Sequence, residues 1–272
     1  MALDHQAVSE LIAEVAAAEV LPRFRALRDH EVREKSTGEL VTVADLAVEQ
    51  ALSRGLAGLL PGSLVVGEEA VAAEPDLLSH LEQAAPVWIV DPIDGTANFA
   101  AGKPVFAVMV ALVQGGETLA SWIHDPVGAR TLTSELGGGA WLAGNRLKVA
   151  APDTPAAMRG TLHASTYARP EIARRVQARR ARVGAIRSLR CAGHEYLRLA
   201  SGRMHFSLFT RLMPWDHAPG CLIQSEAGGV ALTLDGALYR ATSHGADGLL
   251  LAPDAESWRS LRETLLGPDL RA

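Results

Sequence analysis

Apolar residues near the start of the chain recur every three to four positions. Val8, Ile12 and Val15 share one side of this spacing, which predicts an amphipathic helix. Asp4 stands just before the first apolar positions, where an N-cap residue is expected. We expect this helix to run to about Leu27.

The same period returns over Thr42–Leu60, and Pro61–Gly62 ends this second predicted helix. Short apolar runs follow at Leu64–Val66 and Val87–Val90, with a helical segment around Asp76–Gln83 between them. Runs of this length, bounded by turn residues, predict strands.

Two stretches rich in glycine predict antiparallel hairpins. The sequence VFAVMVALVQGGETLASWIHDP places two apolar runs around Gly115–Gly116, a turn that suits a tight hairpin. The sequence ELGGGAWLAGNRLKV, which begins at Glu135, has the same arrangement. Residues 1–150 therefore predict an α+β half in which helices cover a mainly antiparallel sheet.

Beyond residue 150, strand and helix patterns alternate. The predicted strands are 160–165, 183–189, 204–209, 230–235 and 248–252, and the predicted helices are 170–181, 192–201, one from about 215 and one from about 254. This alternation predicts an α/β half over residues 151–272. Because no long linker separates the halves, we expect one unit with a shared cleft.

Composition and charge narrow the class of protein. The 272 residues are 48% hydrophobic, and no run approaches the ~18 apolar residues that span a bilayer. The N-terminus lacks the pattern of a secretory signal, so we expect a cytoplasmic protein. A net charge of −5 argues against nucleic-acid binding. Cys191 and Cys221 are too few for a disulfide framework and too far apart for a zinc motif.

Two acids follow the strand Val87–Val90 directly. Asp91 and Asp94 flank Pro92, which lacks an amide hydrogen and is expected to end the strand's hydrogen bonds. Gly95 then allows a close approach of the backbone to a ligand. Two adjacent carboxylates repel each other unless a cation lies between them, and oxygen ligands suit Mg²⁺ or Mn²⁺. The alternative is that both acids only form the turn.

Two further acids occupy similar positions at the ends of predicted elements. Glu68 follows an apolar strand, where it could simply be solvated, and Asp216 begins a helix, where it could be an N-cap. Each acid has a structural explanation by itself. Together with Asp91 and Asp94 they favour a metal site.

Four stretches now identify a family resemblance. They are GEE at 67–69, WIVDPIDGTANF at 88–99, WDHAPGCLIQSEAGG at 215–229 and, more weakly, KSTGELVTVAD at 35–45. In order and spacing they resemble the inositol monophosphatase family, within the lithium-sensitive, Mg²⁺-dependent phosphatases that include fructose-1,6-bisphosphatase and nucleotide phosphatases. The resemblance implies a layered α-β-α-β-α sandwich, a homodimer and hydrolysis of a phosphomonoester.

The resemblance also implies a role for each matching residue. It assigns two or three Mg²⁺ ions, or Mn²⁺, to Glu68, Asp91, the Ile93 carbonyl, Asp94 and Asp216. It assigns phosphate binding to the amides of Gly95 and Thr96, with the Thr96 hydroxyl orienting the attacking water and Asp45 supporting Thr96. Asp45 equally fits a capping box with Thr42, so its role is open between catalysis and helix capping. Asp94→Asn should abolish activity and leave the fold nearly unchanged.

The alcohol-binding part of the family pattern is not preserved. Phe209 stands where the inositol phosphatases carry an acid, and Arg190-Cys191 stand where they carry Gly-Ser. A pocket that cannot pair hydroxyl groups rejects a polyol, so Phe209, Arg190, Cys191 and His217 become candidates for a different recognition. Inositol-1-phosphate, histidinol phosphate, a sugar phosphate and a 3′-phosphonucleotide remain open as substrates. The alternative function is a binding partner of the transcription machinery, either non-catalytic or in addition to catalysis.

Overall fold

The computed structural model describes residues 3–36, 38–150, 154–164 and 167–268. The helices before residue 150 are α1 (His5–Val15), α2 (Val43–Leu59), α3 (Glu68–Ala73) and α4 (Thr96–Ala100). The strands before residue 150 are β1 (Val32–Ser36), β2 (Glu39–Thr42), β3 (Leu64–Gly67), β4 (Val87–Asp94), β5 (Ala107–Gln114), β6 (Glu117–Asp125), β7 (Arg130–Glu135), β8 (Gly139–Leu142) and β9 (Asn145–Arg146).

The strands of this half form a hairpin and a large sheet. β1 pairs with β2, and the sheet has the order β3-β4-β5-β6-β7-β8-β9. β3 and β4 are parallel, and the remaining neighbours are antiparallel. The prediction of a mainly antiparallel sheet is therefore confirmed.

Both faces of this sheet are covered, because successive side chains of a strand point to opposite sides. In β5, Val108 and Val110 join the core formed with α1 and α2. Met109 and Ala111 point to the other side, where they meet residues of the second half. This explains why β5 is an uninterrupted apolar run.

The second half supplies two helical layers and another sheet. Its strands are β10 (Arg159–His163), β11 (Gly184–Ala185), β12 (Phe206–Phe209), β13 (Val230–Thr233) and β14 (Leu249–Ala252). Its helices are α5 (Pro170–Arg179), α6 (Ala192–Ala200), α7 (Pro214–Glu226) and α8 (Ala255–Leu266). The sheet order is β11-β10-β12-β14-β13.

Helices α6 and α7 lie between the two sheets. Leu249 and Leu251 of β14 point towards them, whereas Leu250 and Ala252 point to the outer layer of α5 and α8. The layers therefore follow the predicted order of helix, sheet, helix, sheet and helix. In the part of the chain that the structure describes, no helix has the length and apolar character that crossing a membrane requires.

Two predicted element boundaries are wrong, those of the first helix and of the strand over 183–189. The first helix leaves α geometry at Val15 and continues as a π-helical turn only to Val20, because Pro22 cannot donate to the preceding turn. The predicted helical segment around Asp76–Gln83 is confirmed as a 3₁₀ helix over Pro75–Glu82, and Glu68, directly after β3, begins the short helix α3. The predicted strand over 183–189 is reduced to β11.

Pro92 does not end strand β4. The strand continues to Asp94, and its register with β5 shifts between Asp91, opposite Met109, and Asp94, opposite Ala107. The extra residue forms a bulge, which accommodates Pro92 without an amide hydrogen bond and bends the strand. The two acids thus lie on either side of a bulge.

Helices α6 and α7 approach each other closely at Gly220. A Cβ added to Gly220 would lie 2.2 Å from ring atoms of Tyr196, which is fully buried. The Tyr196 hydroxyl also lies 3.0 Å from Nδ1 of His217. Only a glycine allows this contact.

Gly220→Ala should lower the free energy of unfolding by about 2 kcal/mol, since the overlap with Tyr196 forces α6 and α7 apart. The melting temperature should fall by roughly 6 °C, measured by calorimetry. Gly58→Ala is the matched control, because an added Cβ there meets nothing within 4 Å. It should stabilise α2 by about 0.7 kcal/mol. Equal melting temperatures for both variants would contradict this account of the helix contact.

Candidate active site

Three of the predicted carboxylates converge between the two halves. Asp91 and Asp94 come from the β4 bulge, and Asp216 comes from the first turn of α7. Their ligand oxygens all lie within 4.8 Å of one another, which makes them a group able to hold a metal ion. Sequence positions more than a hundred residues apart are therefore brought together, as predicted.

Asp91 is the least satisfied member of this group. It is 1% exposed, and within the described residues its Oδ1 has no hydrogen-bond partner. Burial raises the pKa of Asp91 well above its ordinary value, and the charges of Glu68, Asp94 and Asp216 raise it further. A buried carboxylate among like charges is costly unless a proton or a cation compensates it.

Asp94 is held by the start of helix α6. It accepts hydrogen bonds from the Cys191 thiol at 2.9 Å, the Ala192 amide at 3.0 Å and the Gly193 amide at 2.7 Å. An asparagine offers one acceptor oxygen and would turn its NH₂ group towards one of these donors. The structure thus changes our expectation for Asp94→Asn, which should also weaken the contact between the halves.

Glu68 lies beside this group and has a basic partner. Lys35 Nζ contacts Glu68 Oε1 at 2.6 Å and Glu69 Oε1 at 2.7 Å. Glu68 is outside the group whose oxygens lie within 4.8 Å, but its charge contributes to the raised pKa values of Asp91 and Asp216. Lys35 lies on β1, so the hairpin reaches the carboxylates.

Glu49 binds the first turn of α3, at the residues directly after Glu68 in the chain, and was missed by the sequence analysis. Its carboxylate on α2 accepts hydrogen bonds from the amides of Glu69 and Ala70, both at 2.8 Å. A Cβ at Gly67 would lie 2.3 Å from the Glu49 carboxyl carbon. The signal was available, because Glu49 follows Asp45 by one helical turn and faces the same side.

Asp45 combines the two roles that the sequence left open. Its Oδ2 accepts the Thr42 amide at 2.8 Å and the Thr42 hydroxyl at 2.6 Å, which completes a capping box at α2. Its Oδ1 lies 3.3 Å from Thr96 Oγ1. The Thr96 hydroxyl also reaches the Ile93 carbonyl at 2.9 Å. A helix cap and a link to the site therefore coexist.

Gly95 connects the β4 bulge to α4 in a left-handed conformation, with φ of +86°. A Cβ at this position would lie 3.1 Å from the Val105 carbonyl oxygen and 3.2 Å from that of Arg190. Both the backbone angle and the space require glycine. This places Gly95 and Thr96 next to the carboxylates, where the sequence predicted a phosphate site.

A cavity of about 460 Å³ adjoins the carboxylates. Asp94 and Asp216 form part of its wall, and all four predicted pocket residues, Phe209, Arg190, Cys191 and His217, also line it. Both His217 nitrogens are engaged, with Nε2 donating to the Arg211 carbonyl. Burial lowers the pKa of His217 to about 4, so the ring is neutral at physiological pH.

Comparison with known proteins identifies the family. The model of the inositol monophosphatase family matches residues 4–266. The chain belongs to the inositol monophosphatase family. The inositol-1-monophosphatase of Mesorhizobium japonicum is 34% identical over 217 residues, covering 78% of this chain and 79% of that protein.

Other members of the inositol monophosphatase family support the same assignment. The IMPase structure of Thermotoga maritima superimposes with a TM-score of 0.76 at 25% identity, covering 94% of this chain and 95% of the other. A Pseudomonas aeruginosa relative named Nus factor SuhB is 32% identical over 213 residues, covering 75% of this chain and 76% of that protein. The predicted family, layered fold and class of enzyme, a phosphoric monoester hydrolase, are confirmed.

Without metal, the stability of the protein should fall as the pH rises from about 4 to about 7. Burial raises the pKa of Asp45 and of Glu49 to about 7, so the folded state retains protons that the unfolded state releases. The acids whose pKa values are lowered, Glu39, Glu195 and Asp235, lose their contribution only at lower pH. The lowered pKa of His217 acts in the opposite direction, but it is one group against two carboxylates with larger or equal shifts.

The measurement is the melting temperature in EDTA across this range. Saturating Mg²⁺ should reverse the trend, because ionised carboxylates bind the cation better. A melting temperature that rises with pH in EDTA would contradict this account of the buried acids.

Proposed function

We propose that the protein is a Mg²⁺-dependent phosphomonoesterase that hydrolyses a small phosphorylated alcohol. The observation that carries the proposal is the buried Asp91 oxygen without a hydrogen-bond partner, beside the carboxylates of Asp94 and Asp216. A site that only binds another protein does not require three crowded carboxylates. A site that binds hard cations uses such oxygen ligands.

The donors fit Mg²⁺, with Mn²⁺ as an alternative. Asp91, Asp94 and Asp216 offer oxygen ligands, and Glu68 and the Ile93 carbonyl complete the proposed set. Ions of this kind neutralise a phosphate group, activate a water molecule and stabilise the leaving oxygen. Both Glu68 and Ile93 already have partners in the protein, namely Lys35 and the Thr96 hydroxyl, so metal binding would reorganise these contacts.

Residues of the chain itself would orient the water molecule and the phosphate. The Thr96 hydroxyl directs its hydrogen to the Ile93 carbonyl and Asp45 Oδ1, which leaves its oxygen to accept a hydrogen bond from a water near the phosphate. Asp45 fixes this position because its other oxygen is bound to Thr42. Gly95 lets the backbone of residues 95 and 96 approach the phosphate closely.

The alternative function is interaction with the transcription machinery. Its support is the name of the relative Nus factor SuhB. The carboxylate group favours the enzyme, and both roles can share one fold. A homodimer also remains a prediction.

Asp216→Asn should reduce Mg²⁺-dependent phosphate release by at least about a hundredfold, since it removes a proposed metal ligand. The measurement is phosphate release from an aryl phosphate, together with the increase in melting temperature that Mg²⁺ produces. Asp76→Asn, an exposed change in the 3₁₀ helix, is the matched control and should alter neither. Activity of Asp216→Asn close to that of the control would remove Asp216 from the site.

Lithium should inhibit the enzyme, because a small monovalent cation can occupy a Mg²⁺ position without supplying its charge. The rate should be measured with rising Li⁺ against Na⁺ at the same ionic strength. A decrease that Na⁺ reproduces equally would argue against the transfer of this family property.

A further inference from the structure

The wall of the cavity contains a stacked pair of rings. Phe209 and His163 have ring centroids 4.7 Å apart and planes inclined by only 14°. Phe209 is 6% exposed, whereas 28% of the His163 side chain is exposed. One face of the imidazole is therefore covered by Phe209, and the exposed part of His163 lines the cavity.

A buried carboxylate fixes the orientation of His163. Glu195 on α6 is 0% exposed, and its Oε2 lies 2.8 Å from His163 Nε2. The same oxygen accepts a hydrogen bond from the Thr161 hydroxyl at 2.6 Å, and Oε1 accepts from the Leu189 amide at 3.0 Å. These hydrogen bonds hold the pKa of Glu195 below its ordinary value, although burial acts in the opposite direction.

An ionised Glu195 can only accept, so Nε2 of His163 must donate to it. The ring cannot turn without breaking this bond, and Nδ1 remains as its other polar atom. The His163–Phe209 pair is thus a preorganised flat surface. Little side-chain entropy is lost when a ligand binds to it, because the rings are already held in place.

The remaining polar groups of the cavity wall suit a polyol poorly. The hydrogens of the hydroxyl and thiol groups are committed within the protein, as follows: Thr210 to the His163 carbonyl, Ser188 to Glu195, Tyr167 to Glu39 and Cys191 to Asp94. Arg190 and Arg211 in the wall can only donate. Among the described residues lining the cavity, carboxylates occur only at Asp94 and Asp216, which the proposed metal site uses. The hydroxyl hydrogens of a polyol would therefore find no free carboxylate to accept them.

We propose that the alcohol part of the substrate carries a flat aromatic or heteroaromatic ring, which stacks on the exposed face of His163. This inference rests on the proposed phosphatase function and specifies its substrate class. His163 and Phe209 form the recognition surface, and Glu195 is a positioning residue that acts through His163.

The test compares phenethyl phosphate with cyclohexylethyl phosphate at the same Mg²⁺ concentration. Both are esters of primary alcohols with similar leaving groups, and they differ in the planarity of the ring. The kcat/KM for the phenyl ester should be about fivefold higher, mainly through KM, because ring stacking acts on binding. Inositol-1-phosphate should be a poorer substrate than either. A ratio near one, or a preference for inositol-1-phosphate, would overturn the proposal.

Two variants of His163 separate planarity from structural damage. His163→Leu and His163→Phe both remove the hydrogen bond from His163 to Glu195, but only the phenylalanine keeps a flat ring. The preference for the phenyl ester should disappear in His163→Leu and persist in His163→Phe. His244→Leu, an exposed change outside the cavity, should behave as the wild type. An unchanged preference in His163→Leu would assign recognition to another surface.

A binding measurement distinguishes this proposal from the proposed function. Phenylpropylphosphonate and cyclohexylpropylphosphonate cannot be hydrolysed at the P–C bond, and calorimetry with Mg²⁺ present gives their affinities for the wild type. If no ester is hydrolysed, the proposed function fails, and the phosphonate ratio alone decides the ring proposal. Equal affinities would reject ring stacking even in an active enzyme.

Discussion

Repulsion among buried carboxylates is the constraint on which the centre of this protein depends. Asp91, Asp94 and Asp216 bring their oxygens within 4.8 Å of one another at low exposure. Hydrophobic burial elsewhere must offset this cost in the metal-free state. The layers around the site meet that requirement, because both faces of the large sheet and the inner face of the second sheet are apolar. A bound cation would remove this repulsion, and the relief of the repulsion would favour binding of the cation.

Helices α6 and α7 connect this constraint to the rest of the fold. The start of α6 donates to Asp94, and the first turn of α7 carries Asp216. The two helices are fixed to each other by the contact of Gly220 with Tyr196. Residues of both halves therefore meet at the carboxylates through the layer that α6 and α7 form. The same α6 carries Glu195, which orients His163 in the cavity wall, so the metal side and the alcohol side share one support.

Some features of the site were readable in the sequence and others were not. The motif WIVDPIDGTANF identified Asp91, Asp94 and Gly95 because a short stretch of chain contains them all. The prediction that the strand ends at Pro92 was wrong, since a bulge can accommodate a residue without an amide hydrogen when the neighbouring strand continues. Glu49 and Glu195 were overlooked, because an acid on a helix usually faces solvent and only its surroundings reveal burial. Cys191 was predicted only as a residue of the pocket. Its hydrogen bond to Asp94 was not predicted, because the two residues are 97 positions apart in the chain.

The family, the order of most helices and strands, and the acids of the proposed metal site could be predicted from the amino-acid sequence. These follow from local periodicity and from motifs in which neighbouring residues act together. Which groups face one another could be seen only in the folded protein. There, Asp45 both caps α2 and reaches Thr96, Lys35 pairs with Glu68, and His163 stacks on Phe209. Such contacts depend on distances between segments far apart in the chain, which periodicity within a segment does not encode.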